Sequence, residues 1–188
     1  MRKRYEEAES LLREQMAEYG EQLPDALKRK FNMQLGLIAM VRGDVPKARG
    51  LLVSALPEDD EPTYSGDEIM ILTLAALATD EMGDEQAAEE MLEQAERVIK
   101  RGRLNGVDNP GIYYSEAVLL TMREDYSRAM EKLQEAYNRG FREKWVLDID
   151  GRLEPLRNQP EFIGLMDQIT EDISRAKAEI KSLSLASL

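Results

Sequence analysis

The chain has no cysteine and no histidine among its 188 residues. Without cysteine there is no disulfide framework, no thiolate nucleophile and no Cys-based metal site. Without histidine it also lacks the commonest general base, the usual zinc ligand and every Ser-His-Asp arrangement. Any chemistry would fall to carboxylates, Lys or Tyr. Positive charge is scarce: 25 Lys and Arg stand against 37 Asp and Glu, a net charge of -12. That charge repels nucleic-acid phosphates and anionic membrane surfaces alike. Long apolar runs are missing too. The longest, "IMILTLAALA" at 69–78, is half of the ~20 residues needed to span a bilayer, so direct membrane insertion is not expected. The opening "MRKRYEEAES" leads into charge rather than an apolar segment, unlike a signal peptide. A cysteine-free chain suits cytoplasm and periplasm equally, and the compartment stays open.

What is present points to helix. Hydrophobic residues make up 43% and charged residues 33%, with only 6% aromatic; this is a soluble, helix-leaning mixture, too apolar for disorder. The order within it is repetitive. "RGDVPKARGLLVSAL" (42–56) aligns with "MGDEQAAEEMLEQAE" (82–96), placing Gly43–Asp44 on Gly83–Asp84, Ala48 on Ala88, Leu52 on Leu92 and Ala55 on Ala95. "REDYSRAMEKLQEAY" (123–137) repeats the pattern at Asp125, Ala129, Leu133 and Ala136, with Glu124 in place of the glycine. "KRYEEAESLLREQM" (3–16) supplies Ala8 and Leu12. The first alanine recurs at 8, 48, 88 and 129, in steps of 40, 40 and 41. Nearly equal intervals of this length identify an array.

Each repeat reads as two helices. Apolar segments at 30–41, 67–82 and 112–122 precede the Gly-Asp or Glu-Asp turns, and the glycine of each turn supplies the positive φ that ends a helix. In the second helix the alanines let two backbones approach, while the leucine continues the i, i+4, i+7 face. "PEDDEPTYSG" (57–66) and "RGRLNGVDNPG" (101–111) read as loops between repeats.

This pattern resembles the tetratricopeptide repeat (TPR) family. The matching residues are Leu35, Gly36, Gly43, Ala48, Leu52 and Ala55, then Leu72, Ala75, Ala76, Gly83, Ala88, Leu92 and Ala95, then Tyr113, Ala117, Tyr126, Ala129, Leu133 and Ala136. The resemblance implies an all-α fold: a right-handed solenoid of antiparallel helix pairs with a C-terminal capping helix. It divides the chain into helical repeats over 1–144 and a capping segment with the terminal helix over 145–188. The repeats comprise a second helix at 3–19 and then helix pairs near 25–56, 67–100 and 111–140. The spacing exceeds that family's usual 34 residues, and the excess falls in the expected inter-repeat loops. Because 3–16 matches only the second helix of a repeat, the resemblance further implies that this chain is a piece of a longer array.

Residues 145–162, "WVLDIDGRLEPLRNQPEF", lie between two stretches that read as helix and have the periodicity of neither. They resemble the segment after the final repeat in bacterial signalling proteins: ToxR-type membrane-anchored winged-helix regulators, adenylate cyclases and receptor-like Ser/Thr kinases. The physical reading is a cap. Asp150 closes a short turn, Pro155 prevents a long helix, and Pro160 with Glu161 suits a helix start. Leu153, Leu156 and Phe162 would cover the apolar edge that every repeat array must hide.

No active site, cofactor site or metal site is apparent. Asp148, Asp150 and Glu154 read as caps and partners of Arg152 and Arg157. The contiguous acids of "PEDDEP" (57–62) lack the alternate-residue spacing of a calcium loop, and no glycine run matches a phosphate-binding loop. The function that the resemblance implies is a non-enzymatic protein- or peptide-binding scaffold, the interaction or sensory module of a larger bacterial signalling protein. The alternative is a structural or dimerising module whose groove is filled by its own chain or a second copy. The resemblance implies a concave groove lined by Lys30, Met33, Leu37 and Met40, by Met70, Thr73, Leu77 and Asp80, and by Tyr114, Val118, Thr121 and Met122. Its methionines suit an adaptable apolar surface; the competing reading is that these side chains pack on neighbouring helices. Finally, Phe162, Met166, Ile169, Ile173, Ala176, Ile180 and Leu183 form a seam of four-and-three spacing. The seam predicts a homodimer through the C-terminal helix, against the plainer reading of residues 175–188 as a frayed tail.

Overall fold

The computed structural model describes residues 2–57 and 65–186. The central part of the loop expected at 57–66, with its acidic run, lies outside the described residues, as does Leu188 of the tail. Among the described residues all regular structure is helical. The chain divides into two compact units, residues 1–106 and 107–188. The third helix pair and the segment 145–162 both fall within the second unit.

The first unit contains α1 (Arg2–Tyr19), a 3-10 turn (Gly20–Gln22), α2 (Asp25–Val41), α3 (Val45–Val53), α4 (Gly66–Glu81) and α5 (Glu85–Leu104). Helix α2 packs against α3, α3 against α4, α4 against α5, and α1 against α2. The turn between α2 and α3 serves both helices. Gly43, at φ 74°, donates its N–H to Met40 O (2.9 Å), and the Asp44 N–H reaches Ala39 O (3.0 Å). These two bonds satisfy carbonyls that the end of α2 would leave orphaned. The Asp44 side chain then accepts from the Lys47 N–H and caps α3, with Pro46 in the first turn where no N–H is needed. The same device joins α4 to α5 through Gly83 (φ 82°) and Asp84, which accepts from Ala87 N at 3.2 Å.

Small residues set the helix crossing. A Cβ built on Gly36 would stand 2.8 Å from Leu52 Cγ, so α2 and α3 approach as closely as they do only because position 36 has no side chain. Leu52, Ala55, Ile71, Leu74 and Ala75 form a buried cluster, with Met33, Leu37, Met40 and Met70 packed against it. Helix α4 is apolar all round and is buried on most of its surface, as such a helix must be. Helix α5 runs to Leu104, so residues 101–104, expected as loop, are helical. Arg101 and Arg103 favour the negative end of its dipole, and Gly106 at φ 78° ends it.

The second unit contains α6 (Pro110–Met122), α7 (Tyr126–Asn138), α8 (Lys144–Ile149), a 3-10 segment (Gly151–Leu156) and α9 (Pro160–Ala186). Asn109 caps α6 by accepting from Ile112 N at 3.1 Å. The α6–α7 turn repeats the device of the first unit with Glu124 at φ 60°, and Asp125 caps α7. Stretch 145–162, without periodicity as a sequence, folds into short pieces: the six-residue α8, then the 3-10 segment that holds Pro155. Neither is long enough to display a period. Leu147, Leu153 and Leu156 are fully buried with Ala117, Val118, Leu133, Phe162, Leu165 and Ile169, so the segment supplies a large share of this unit's core.

Candidate binding surface

Helical spacing places Lys30, Met33, Leu37 and Met40 along one face of α2, and Met70, Thr73, Leu77 and Asp80 along one face of α4. Lys30 and Asp80 are exposed, whereas Met33, Leu37, Met40, Met70 and Leu77 are half-buried. Thr73 is fully buried, and its hydroxyl donates to Ile69 O at 2.8 Å. The two stripes meet in one packed region, since Met33, Leu37, Met40 and Met70 all lie against the same cluster from α3 and α4. At one end of that region is a cavity of about 200 Å³ whose lining includes Arg29, Lys30, Met33, Asp67, Glu68 and Ile71. Arg29, Asp67 and Ile71 belong to this site but not to the sequence-derived groove. Their nearness depends on how the start of α4 meets the start of α2, and no spacing along the chain records that.

The positions expected from α6 are placed differently. Val118 and Thr121 are buried, and Thr121 donates to Ala117 O at 2.8 Å. Tyr114 and Met122 are half-buried against the second unit's own core. The Tyr114 ring stacks on Phe141 with centroids 5.0 Å apart, and its hydroxyl donates to Asp150 Oδ2. Asp150 in turn accepts from Arg152 N (3.0 Å), Nε (2.8 Å) and Nη2 (2.6 Å). Burial works to raise the Asp150 carboxyl, but the hydrogen bonds and charge of Arg152 outweigh it and hold the group below the ordinary carboxylate range. The Tyr114 phenol is pushed well above its ordinary value, first by burial and then by the neighbouring carboxylate. Tyr114 is thus engaged in fastening the cap to α6. The pairing of Asp150 with Arg152 and of Glu154 with Arg157 (2.5 Å) agrees with the reading of these acids as structural.

Among the described residues no group of three or more acidic side chains is placed to hold a metal ion, and no helix is long and apolar enough to cross a membrane. Compared with protein-family models, curated proteins and solved structures, the chain matches none.

Proposed function

We propose that this chain is a non-enzymatic scaffold of the tetratricopeptide type, a right-handed array of antiparallel helix pairs that holds a protein or peptide segment. In this reading it is the interaction or sensory module of a larger bacterial signalling protein. The observation that carries the proposal is the thrice-repeated turn, a left-handed residue followed by a capping Asp at 43–44, 83–84 and 124–125, with a buried alanine four residues after each Asp at 48, 88 and 129. The surface that best supports binding is the stripe of the first unit: Met33, Leu37 and Met40 on α2 with Met70 and Leu77 on α4, bordered by Lys30 and Asp80. Half-buried thioethers and leucines give such a stripe apolar area and freedom to repack around a guest. Thr73, Tyr114, Val118, Thr121 and Met122 serve packing in this reading rather than contact with a partner.

The test is selection from a random peptide library on the immobilised protein, followed by binding of the recovered peptides to Leu37→Glu/Leu77→Glu. Loss of binding with an unchanged circular dichroism spectrum is the expected result. Recovery of no peptide above background, or full binding by the double variant, would overturn the proposal. A second reading, a module that pairs with a copy of itself, is favoured by the exposed apolar residues of α9.

A further inference from the structure

The second unit carries an apolar recess that the binding stripe does not use. It is a groove of about 250 Å³ between α8 and the first half of α9, and its lining includes Leu147, Phe162, Ile163 and Met166. Leu147 and Phe162 are buried and form its floor, Met166 is half-buried, and Ile163 stands 50% exposed at its edge. A guest that fills the recess takes this apolar area out of water. The volume lies below the roughly 300–1,000 Å³ of sites that enclose a drug-sized molecule, which suits an inserted side chain rather than an organic ligand. Charge decides what accompanies that side chain. The two cations of the groove are already matched, Lys144 with Asp148 at 2.8 Å and Arg157 with Glu154 at 2.5 Å. Asp167, also in the lining, is exposed, and its side chain has no hydrogen bond or ion pair among the described residues. The same holds for Glu171, one turn further along α9. No basic residue occurs between Pro160 and Asp172, and Arg175, the next cation, leans toward Asp172 at 3.8 Å. Two carboxylates four residues apart on a helix repel each other, and a cation laid over both relieves that repulsion.

We infer that the α8–α9 groove is a second binding site, for a short basic peptide segment of a partner protein. One aliphatic or methionine side chain of the segment fills the recess, and an adjacent Lys or Arg pairs with Asp167 and Glu171. The apolar floor supplies area to bury, and the unpaired acids select the sign of the partner. An acidic segment meets the same two carboxylates and the net charge of -12, and is repelled. The chain's own tail does not fill the groove. Helix α9 is one helix from Pro160 to Ala186, which keeps Ile180 about 25 Å from Ile163 at 1.5 Å per residue. The groove shares no residue with the stripe of the first unit, so either site stands if the other fails.

Selection from a random peptide library on the immobilised full chain, with counter-selection on Ile163→Lys, tests it. Ile163 is half in water, so the variant keeps the circular dichroism spectrum of the natural chain while losing the groove's apolar edge and repelling a cation. Peptides of the stripe bind Ile163→Lys unchanged and are removed in this step. The expected survivors carry an aliphatic residue or Met next to Lys or Arg. Their affinity, read by fluorescence anisotropy, should fall about three- to tenfold in Asp167→Asn/Glu171→Gln, the loss of solvated ion pairs, and should be unchanged in Leu37→Glu/Leu77→Glu. No survivor of counter-selection, survivors that are acidic, or equal affinity for Asp167→Asn/Glu171→Gln would overturn the inference. Survivors that lose binding in Leu37→Glu/Leu77→Glu would overturn it and leave the stripe as the binding surface. A dimer in sedimentation equilibrium that Ile163→Lys converts to a monomer would overturn it too, because the occupant would then be a second copy.

Discussion

Asp150 and Arg152 have side chains only 6% exposed each. Taking two charges out of water costs several kcal/mol per ion, and close geometry with further hydrogen bonds is what offsets it. Here the offset comes from three bonds of Arg152 to one carboxylate and a fourth from Tyr114. Removing one partner breaks this ion pair while the other charge stays buried. Asp150→Ala should therefore lose about 3–5 kcal/mol in urea unfolding of the second unit. Asp148→Ala, which removes a partly solvated ion pair with Lys144, should change stability by less than about 1 kcal/mol. The pH dependence follows from the two shifts. Asp150 titrates lower in the folded chain than in the unfolded one, so its contribution is complete above about pH 4 and is lost as pH falls further. Tyr114 is shifted upward, so its contribution is complete below about pH 10 and is lost as pH rises beyond that value. Thermal melts across pH should show both flanks, and Tyr114→Phe should shrink the alkaline one without abolishing it, because the bond to Asp172 also raises the Tyr137 phenol.

At the scale of the element, one turn design recurs with one exception. Gly43 and Gly83 occupy the left-handed region without penalty, but at the corresponding place Glu124 adopts φ 60°. A side chain in that region costs roughly 1–2 kcal/mol, and part of the gain from removing it is lost because glycine has more freedom in the unfolded chain. Glu124→Gly should stabilise the second unit by about 1 kcal/mol, seen as a higher melting temperature. The side chain of Glu124 is exposed, so no buried contact opposes the change. An unchanged or lower melting temperature would mean that Glu124 makes a compensating contact in the turn.

For the whole molecule, the division at residue 106 has a consequence for folding. The second unit carries its own core, built from α6, α7, α9 and the segment before it, with polar ties inside the unit: Tyr137 donates to Asp172 (2.9 Å), Arg142 bridges Asp172 (3.0 Å), and Arg139 bridges Asp108 (2.6 Å). Residues 107–188 expressed alone should give a helical circular dichroism spectrum and a cooperative melt. A non-cooperative melt would show that this core depends on the first unit.

The all-α class, the helix pairs and their turns could be read from the sequence alone, because the signals are local. Gly-Asp and Glu-Asp pairs followed by apolar spacing specify where one helix stops and the next begins within a few residues, and Ala48, Ala88 and Ala129 mark close helix approach without knowledge of the partner. The break of 145–162 into short pieces, with Asp150 closing a turn and Leu153 and Leu156 buried, was legible in its prolines, leucines and Asp150 for the same reason. Exposure was not. Helical spacing puts Thr73 and Leu77 on one face of α4, yet one is buried and the other half-exposed, since burial depends on which helices lie opposite. Tyr114 carries no sequence mark distinguishing a groove residue from a cap residue; its bond to Asp150, 36 positions away, exists only once the chain returns to α6. The seam of α9 was visible as a period, but the burial of its first half and the exposure of Ile180 and Leu183 follow from where α7 and α8 end. Local hydrogen bonding and side-chain period fix the elements, whereas the distribution of surface between core and solvent is a property of their packing.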